Sequence, residues 1–254
     1  MKTINILWTG GWDSTYRIVE LSRMDVQIHP VYCRDPNRKS TPIELETMEK
    51  IVKALQARPE TTAQFLPITI IDRDAIPENP EITNAFKEIS SNIRIGGQYD
   101  WLARIALIHP ELEIGIEKPH GEYSGCVAVL DAYGKLIQRD GSFFLDKENA
   151  TPACVALMGN FSFPIYNITE VEMLENIRSW GYEDIMKMIW FCHGPVKGLP
   201  CGTCRPCQQK MDCGMGFLLP DSAKRRYRAF RRTKRIFGDK IAKGMARYVY
   251  KKIL

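Results

Sequence analysis

The chain has 254 residues, 44% of them hydrophobic and 26% charged, with eight cysteines and a formal net charge of +5. That balance fits an ordinary soluble globular protein of one α/β domain with an appendage, or of two small domains. No stretch reaches the roughly 18 uninterrupted apolar residues of a membrane span, and Met1 to Trp8 is too short for a signal peptide's apolar region, so a cytosolic location is expected. In that setting cysteines point toward metal or catalysis before disulfides.

In chain order, Ile4–Trp8 reads as a first strand. It runs directly into Thr9-Gly-Gly-Trp-Asp-Ser-Thr15, after which a helical pattern extends to about Met24. A glycine pair opening a helix lets the main chain approach a ligand closely, and bare N–H groups at the helix N-terminus favour an anion. Asp13, being acidic, suits magnesium or a helix cap better than a phosphate. An ordinary capped strand–turn–helix is the other reading of the same residues. Val26–Tyr32 is a second strand and Pro42–Gln56 an amphipathic helix with Pro near its start. Phe65–Ile71 is a third strand, apolar enough for burial on both faces of a parallel sheet. Helices over Ile82–Ile93 and Gln98–Ile108 precede a short fourth strand, Ile114–Ile116. The alternation predicts a Rossmann-like, doubly wound parallel sheet with its ligand at the carboxyl ends of the strands.

Beyond this, Cys126–Leu130 and Leu136–Arg139 read as strands flanking a hairpin turn at Asp131-Ala-Tyr-Gly134. Phe161–Tyr166 reads as a fifth strand of the sheet. Thr169-x-x-Glu172 is a capping box opening a helix to about Trp180, and a short helix spans Glu183–Trp190. Cys192, Cys201, Cys204 and Cys207 then stand in the spacing Cys-x8-Cys-x2-Cys-x2-Cys. Two-residue spacers let tight turns place two sulfurs on one ion, so a structural Zn2+ site is expected; a redox pair or an iron–sulfur cluster is the alternative. His193 is read as a bystander, Cys213 as a spare ligand, and Cys33, Cys126 and Cys154 as small buried hydrophobes.

The loop at residues 9–15 resembles the Ser-Gly-Gly-x-Asp-Ser loop of the PP-loop ATP pyrophosphatases, with Thr9 in place of the first Ser. Joined to the cysteine spacing, it is similar to the 7-cyano-7-deazaguanine synthase family over roughly residues 3–219. The resemblance implies a domain of the PP-loop, adenine nucleotide alpha hydrolase type over residues 1–180 and a four-cysteine zinc-bearing helical region over 181–220. A basic helical tail follows at 221–254. It implies an ATP-dependent carbon–nitrogen ligase that adenylates a carboxylate such as 7-carboxy-7-deazaguanine, releases pyrophosphate and AMP, and captures ammonia or another amine as amide or nitrile. ATP and Mg2+ would engage Thr9, Gly10, Gly11, Asp13, Ser14 and Thr15, with Asp13 and Ser14 catalytic. Zn2+ would be held by Cys192, Cys201, Cys204 and Cys207, and the protein would be a homodimer. A PP-loop tRNA-modifying enzyme and a non-catalytic zinc-stabilised nucleotide or nucleic-acid binder are the competing readings.

Three segments depart from that family: Tyr32–Asp35, Ile95–Tyr99, and position 170, where the family's lysine is Glu170. A lysine there would neutralise charge developing on pyrophosphate. Glu170 would repel it unless it binds magnesium or points away. Arg34, Arg38, Arg94, Arg104 and Lys118 are candidate replacement cations, and Glu117, His120 and Glu122 candidates for ring recognition or proton transfer. From Asp221 to Leu254 there are 13 Lys and Arg against 2 Asp, a local balance of +11, whereas the preceding residues carry 22 basic and 28 acidic side chains. The helical pattern there aligns Tyr227, Phe230 and Ile236. A tail this basic suits a nucleic acid, a membrane surface or an acidic protein partner.

Overall fold

The computed structural model describes the backbone of residues 1–117 and 125–253, and side chains in those ranges through residue 246. The first half alternates strand and helix: β1 (Lys2–Leu7), α1 (Trp12–Ser22), β2 (Val26–Arg34), α2 (Thr41–Gln56), β3 (Gln64–Phe65), β4 (Thr69–Asp72), α3 (Pro80–Asn92), α4 (Gln98–Ile108) and β5 (Leu112–Glu113). There follow α5 (Cys126–Tyr133), β6 (Leu136–Arg139), β7 (Ser142–Leu145), α6 (Pro152–Met158), β8 (Phe161–Phe163), α7 (Glu170–Trp180) and α8 (Glu183–Met186). Last come α9 (Arg205–Asp212) and α10 (Asp221–Ile253), the latter interrupted at Gly238, where φ is 81°. Among the described residues no helix is long and apolar enough to cross a membrane.

The strands form one sheet in the order β3-β2-β1-β5-β8-β7-β6, with β4 also paired to β2. From β3 through β8 the pairing is parallel; β7 and β6 add an antiparallel edge. The chain leaves β1 in one direction through β2 and returns on the other side at β5, the switch in strand order at whose carboxyl ends open parallel sheets bind ligands. Alternation of side chains sorts β1 and β2 between two cores. Ile6, Trp8, Ile28 and Tyr32 pack with residues of α1, α2, α7 and α8 on one face. Leu7, Val31 and Cys33 pack with α3, α4 and α6 on the other. A fully buried side chain of this kind contributes about 1.5–3 kcal/mol relative to exposure, and helices on both faces complete three layers.

Several sequence expectations move. The third strand is split into β3 and β4 around Pro67, which cannot donate a ladder hydrogen bond. The fourth lies at Leu112–Glu113 rather than Ile114–Ile116, and only Glu183–Met186 of the Glu183–Trp190 stretch is helical. Cys126–Leu130 is not a strand but the start of α5. A five-residue apolar run without alternation fits buried helix and strand equally, and burial of Cys126, Val129 and Leu130 in the core decides for helix. The hairpin is instead β6–β7, turning at Asp140 and Gly141 with φ of 49° and 77°. Two successive positive φ values are what a tight two-residue hairpin turn requires.

Candidate functional site

The loop after β1 packs closely against α2 and the segment before Cys192. Gly10 has φ 68°, a region L side chains rarely adopt, and a Cβ there would lie 3.3 Å from Thr47 Cγ2. The Gly10 carbonyl accepts a hydrogen bond from Trp190 N–H at 2.8 Å, which ties the loop to the segment leading into Cys192. No side chain caps α1, so Asp13 is not the cap that one reading of the sequence allowed. Thr15 is fully buried and its hydroxyl accepts from Trp8 Nε1 at 2.9 Å; it secures the loop to β1. Arg17 grips Glu113 with two hydrogen bonds, Nε at 2.8 Å and an Nη nitrogen at 2.7 Å, and so fixes α1 against the end of β5.

Three carboxylates meet beside this loop. Asp13 follows β1, Glu117 follows β5 and Glu170 opens α7 after β8, so adjacent parallel strands deliver one acid each from their carboxyl ends. One carboxylate oxygen of each lies within 4.8 Å of those of the other two. Gly115 permits the approach, since a Cβ there would sit 3.1 Å from Asp13 Cβ and 3.2 Å from Ser14 N. Glu170 is only 1% exposed. The Oδ1 of Asp13 and the Oε2 atoms of Glu117 and Glu170 are buried with no hydrogen-bond partner. Burial pushes the Asp13 carboxyl up to about 6, with Lys210 opposing and Glu170 adding to the rise. Burial first, then the charges of Asp13 and Glu170, push Glu117 up to about 9.

Among the described residues the cation in this cluster is Lys210. Its buried ammonium donates to Glu170 Oε1 and lies 5.0 Å from the centre of the Trp12 ring. Gln209, beside it on α9, donates to Glu117 Oε1 at 3.2 Å. Among the described residues three carboxylates face one ammonium. Unpartnered buried carboxylate oxygens at this separation could hold a metal ion; opposed ligand oxygens stand about 4.2 Å apart around Mg2+ and about 4.8 Å around Ca2+. Lys210 is not among the replacement cations expected from the sequence, Arg34, Arg38, Arg94, Arg104 and Lys118. Its signal was the spacing Cys207-x2-Lys210: Pro206 opens a helix that puts both residues on one face.

The sulfurs of Cys192, Cys201, Cys204 and Cys207 also lie within 4.8 Å of one another. Cys201 to Cys207 and Cys192 to Cys204 are each 3.9 Å, close to the roughly 3.8 Å edge of a tetrahedron with 2.3 Å Zn–S bonds. Backbone N–H groups of Cys201, Thr203 and Cys204 point at these sulfurs at 3.1, 3.3 and 3.2 Å, as thiolate acceptors require. The four cysteines can hold a zinc ion. Gly202 has φ 81°, and a Cβ there would collide with the Ala223 carbonyl oxygen at 2.1 Å; α10 packs on the knuckle through that gap. Arg226 closes it further, donating to the carbonyls of Cys201 and Pro200 at 2.8 and 2.9 Å. Cys213 is outside the quartet, beside Glu170, and His193 is not among the ligand atoms. We expect one zinc per chain by elemental analysis, falling below a tenth of that in Cys204→Ser; an unchanged zinc content would show that the quartet does not bind it.

The arginines are engaged elsewhere. Arg34 pairs with Asp72, Arg38 with Glu44, and Arg104 with Asp100 and the Pro77 carbonyl, while Arg94 is exposed. Arg38, Arg73, Arg104 and Trp101 line a cavity of about 560 Å3 over the carboxyl ends of β2 and β4. Lys118, His120 and Glu122 lie outside the described residues. Cys33 and Cys126 are buried, and burial pushes both thiols up, Cys33 to about 12. No protein-family model matches the chain, and no curated protein matches it.

Proposed function

We infer that the chain is an ATP-dependent ligase that adenylates a carboxylate and passes the acyl group to an amine. The observation that carries this reading is the delivery of Asp13, Glu117, Glu170 and Lys210 beside the glycine loop at the carboxyl edge of the parallel sheet. Amide N–H groups of the α1 N-terminus and the Gly10–Gly11 backbone would receive the phosphates, and Asp13, Glu117 and Glu170 would hold Mg2+. Bound there, Mg2+ would supply charge neutralisation to the leaving pyrophosphate. The substrate carboxylate oxygen forms a bond to the α-phosphorus as the bond to the β-phosphate oxygen breaks. An amine nitrogen then forms the C–N bond, AMP leaves, and the amine proton passes to solvent or a nearby base.

In this reading Lys210, paired with Glu170, would take over the charge neutralisation that the family lysine at position 170 performs. The cavity lined by Arg38, Arg73, Arg104 and Trp101 also holds Asp35, Asp74 and Glu78, and its arginines are paired with Glu44, Asp35, Asp74 and Asp100. An acidic substrate such as 7-carboxy-7-deazaguanine would have to displace those carboxylates, with the indole left for its ring. This cavity adjoins the loop through Glu44, which bonds Arg38 and whose carbonyl oxygen lies 3.5 Å from the Cβ position of Gly10. The thiolation alternative needs a reactive thiolate, and the raised thiols of Cys33 and Cys126 argue against it. With ATP, Mg2+, ammonia and the acid, AMP and pyrophosphate should appear in equal amounts with an amide or nitrile. Asp13→Ala should reduce AMP formation at least a hundredfold. Absence of AMP from the unaltered protein with this acid and with other aromatic carboxylates would sink the reading.

A further inference from the structure

We propose that the stretch from Ile236 to Met245 docks the protein on an anionic lipid surface. The helical pattern aligns Ile236 with Tyr227 and Phe230. Phe230 is buried, but Ile236 is 61% exposed, and Phe237, Ile241 and Met245 are 57%, 51% and 52% exposed. Four large apolar side chains thus stand in solvent within ten residues of the most basic part of the chain. Ala242, between them, is buried while these neighbours are exposed. Gly238, with φ 81° and ψ 168°, breaks the helix between Phe237 and Ile241 and lets the second part of α10 take its own direction.

The charges around this patch point to a negative surface. Between residues 221 and 246 the only acids are Asp221 and Asp239. Asp239 is held by Lys234 at 2.9 Å and by Lys243, and these partners pull its carboxyl below the usual range, so it offers no free negative charge to repel an anionic partner. Arg235 and Lys240 flank the apolar residues directly. An interfacial helix combines these two features: apolar side chains that enter the acyl boundary and cations that meet anionic headgroups. Nucleic acid would use the cations and leave Phe237, Ile241 and Met245 in water, since phosphate contacts are made by Lys and Arg. A second copy would bring two segments of like charge together.

Vesicle co-sedimentation of the full-length protein tests this at physiological salt, with phosphatidylcholine vesicles containing 30% phosphatidylglycerol, pure phosphatidylcholine vesicles, and single- and double-stranded RNA. Binding to anionic vesicles should exceed that to neutral ones at least tenfold. Phe237→Ser with Ile241→Ser, which keeps every charge, should lower vesicle binding at least tenfold and leave any RNA binding and the melting temperature unchanged. Lys234→Gln, Arg235→Gln and Lys240→Gln together should lower it similarly. The proposal is overturned by absence of vesicle binding, or by binding that ignores the serine substitutions, the signature of a purely electrostatic polyanion site. A serine double variant that shifts only the oligomeric mass would equally overturn it, in favour of a second copy. The outcome does not depend on whether the chain forms AMP.

Discussion

Lys210→Met is expected to lower stability by about 3–5 kcal/mol at pH 7.5 in the absence of divalent cations, because it leaves the buried Glu170 carboxylate without its partner. Urea unfolding measures the loss. Adding Glu170→Gln to the variant should recover most of it, since a neutral amide and an apolar stem demand far less than an orphaned charge. On the ATP-ligase reading, Lys210→Met should also cut the single-turnover rate of AMP formation about 10²–10³-fold, the usual effect of removing one preorganised electrostatic contact. The double variant should regain stability without regaining rate, which separates catalysis from folding. Because the lost ammonium competes with a bound cation, Lys210→Met should at the same time bind Mn2+ more tightly than the unaltered protein. A destabilisation below 1 kcal/mol with AMP formation intact would show that Lys210 is an incidental ion pair.

What could be read from the chain alone was what local pattern encodes. β1, its glycine loop and α1 were legible because period-2 and period-3.6 signals meet at a glycine pair. The Thr169–Glu172 capping box was equally plain, and the structure contains both of its hydrogen bonds. The four cysteines were legible because the quartet's ligand set lies within sixteen residues, so spacing alone implies proximity. The acidic cluster was not, because Asp13, Glu117 and Glu170 are brought together only by the order of β1, β5 and β8 in the sheet. Glu170, in the first turn of α7, takes its partner from far along the chain: Lys210 arrives from the helix that begins in the cysteine knuckle. Cys126-Val-Ala-Val-Leu130 misled because its composition favours strands while its surroundings supply a helical niche between α6 and the sheet.

The same cluster sets an expected pH and metal dependence. Asp13 and Glu117 have carboxyls raised in the folded state, to about 6 and about 9 from ordinary values of 3.8 and 4.5. A raised carboxyl favours folding while protonated. Its contribution is therefore fully present below the unfolded pKa and is lost as pH rises through the folded one. For Asp13 the loss falls between about pH 4 and 6, and for Glu117 between about pH 4.5 and 9. Asp13 alone corresponds to about 3 kcal/mol at most, from a shift near two units at about 1.4 kcal/mol each. The melting temperature of the metal-free protein should therefore fall from pH 5 to pH 9, and Glu117→Gln should flatten that fall above pH 6. Millimolar Mg2+ or Mn2+ should reverse it, with a stabilisation that grows with pH because protons and the cation compete for the same oxygens. The cysteine quartet is kept zinc-loaded throughout, so that only the carboxylates respond. A metal-free melting temperature that rises over this range, or a Mg2+ effect equal at pH 5 and pH 9, would refute the assignment of the three carboxylates as one cation site.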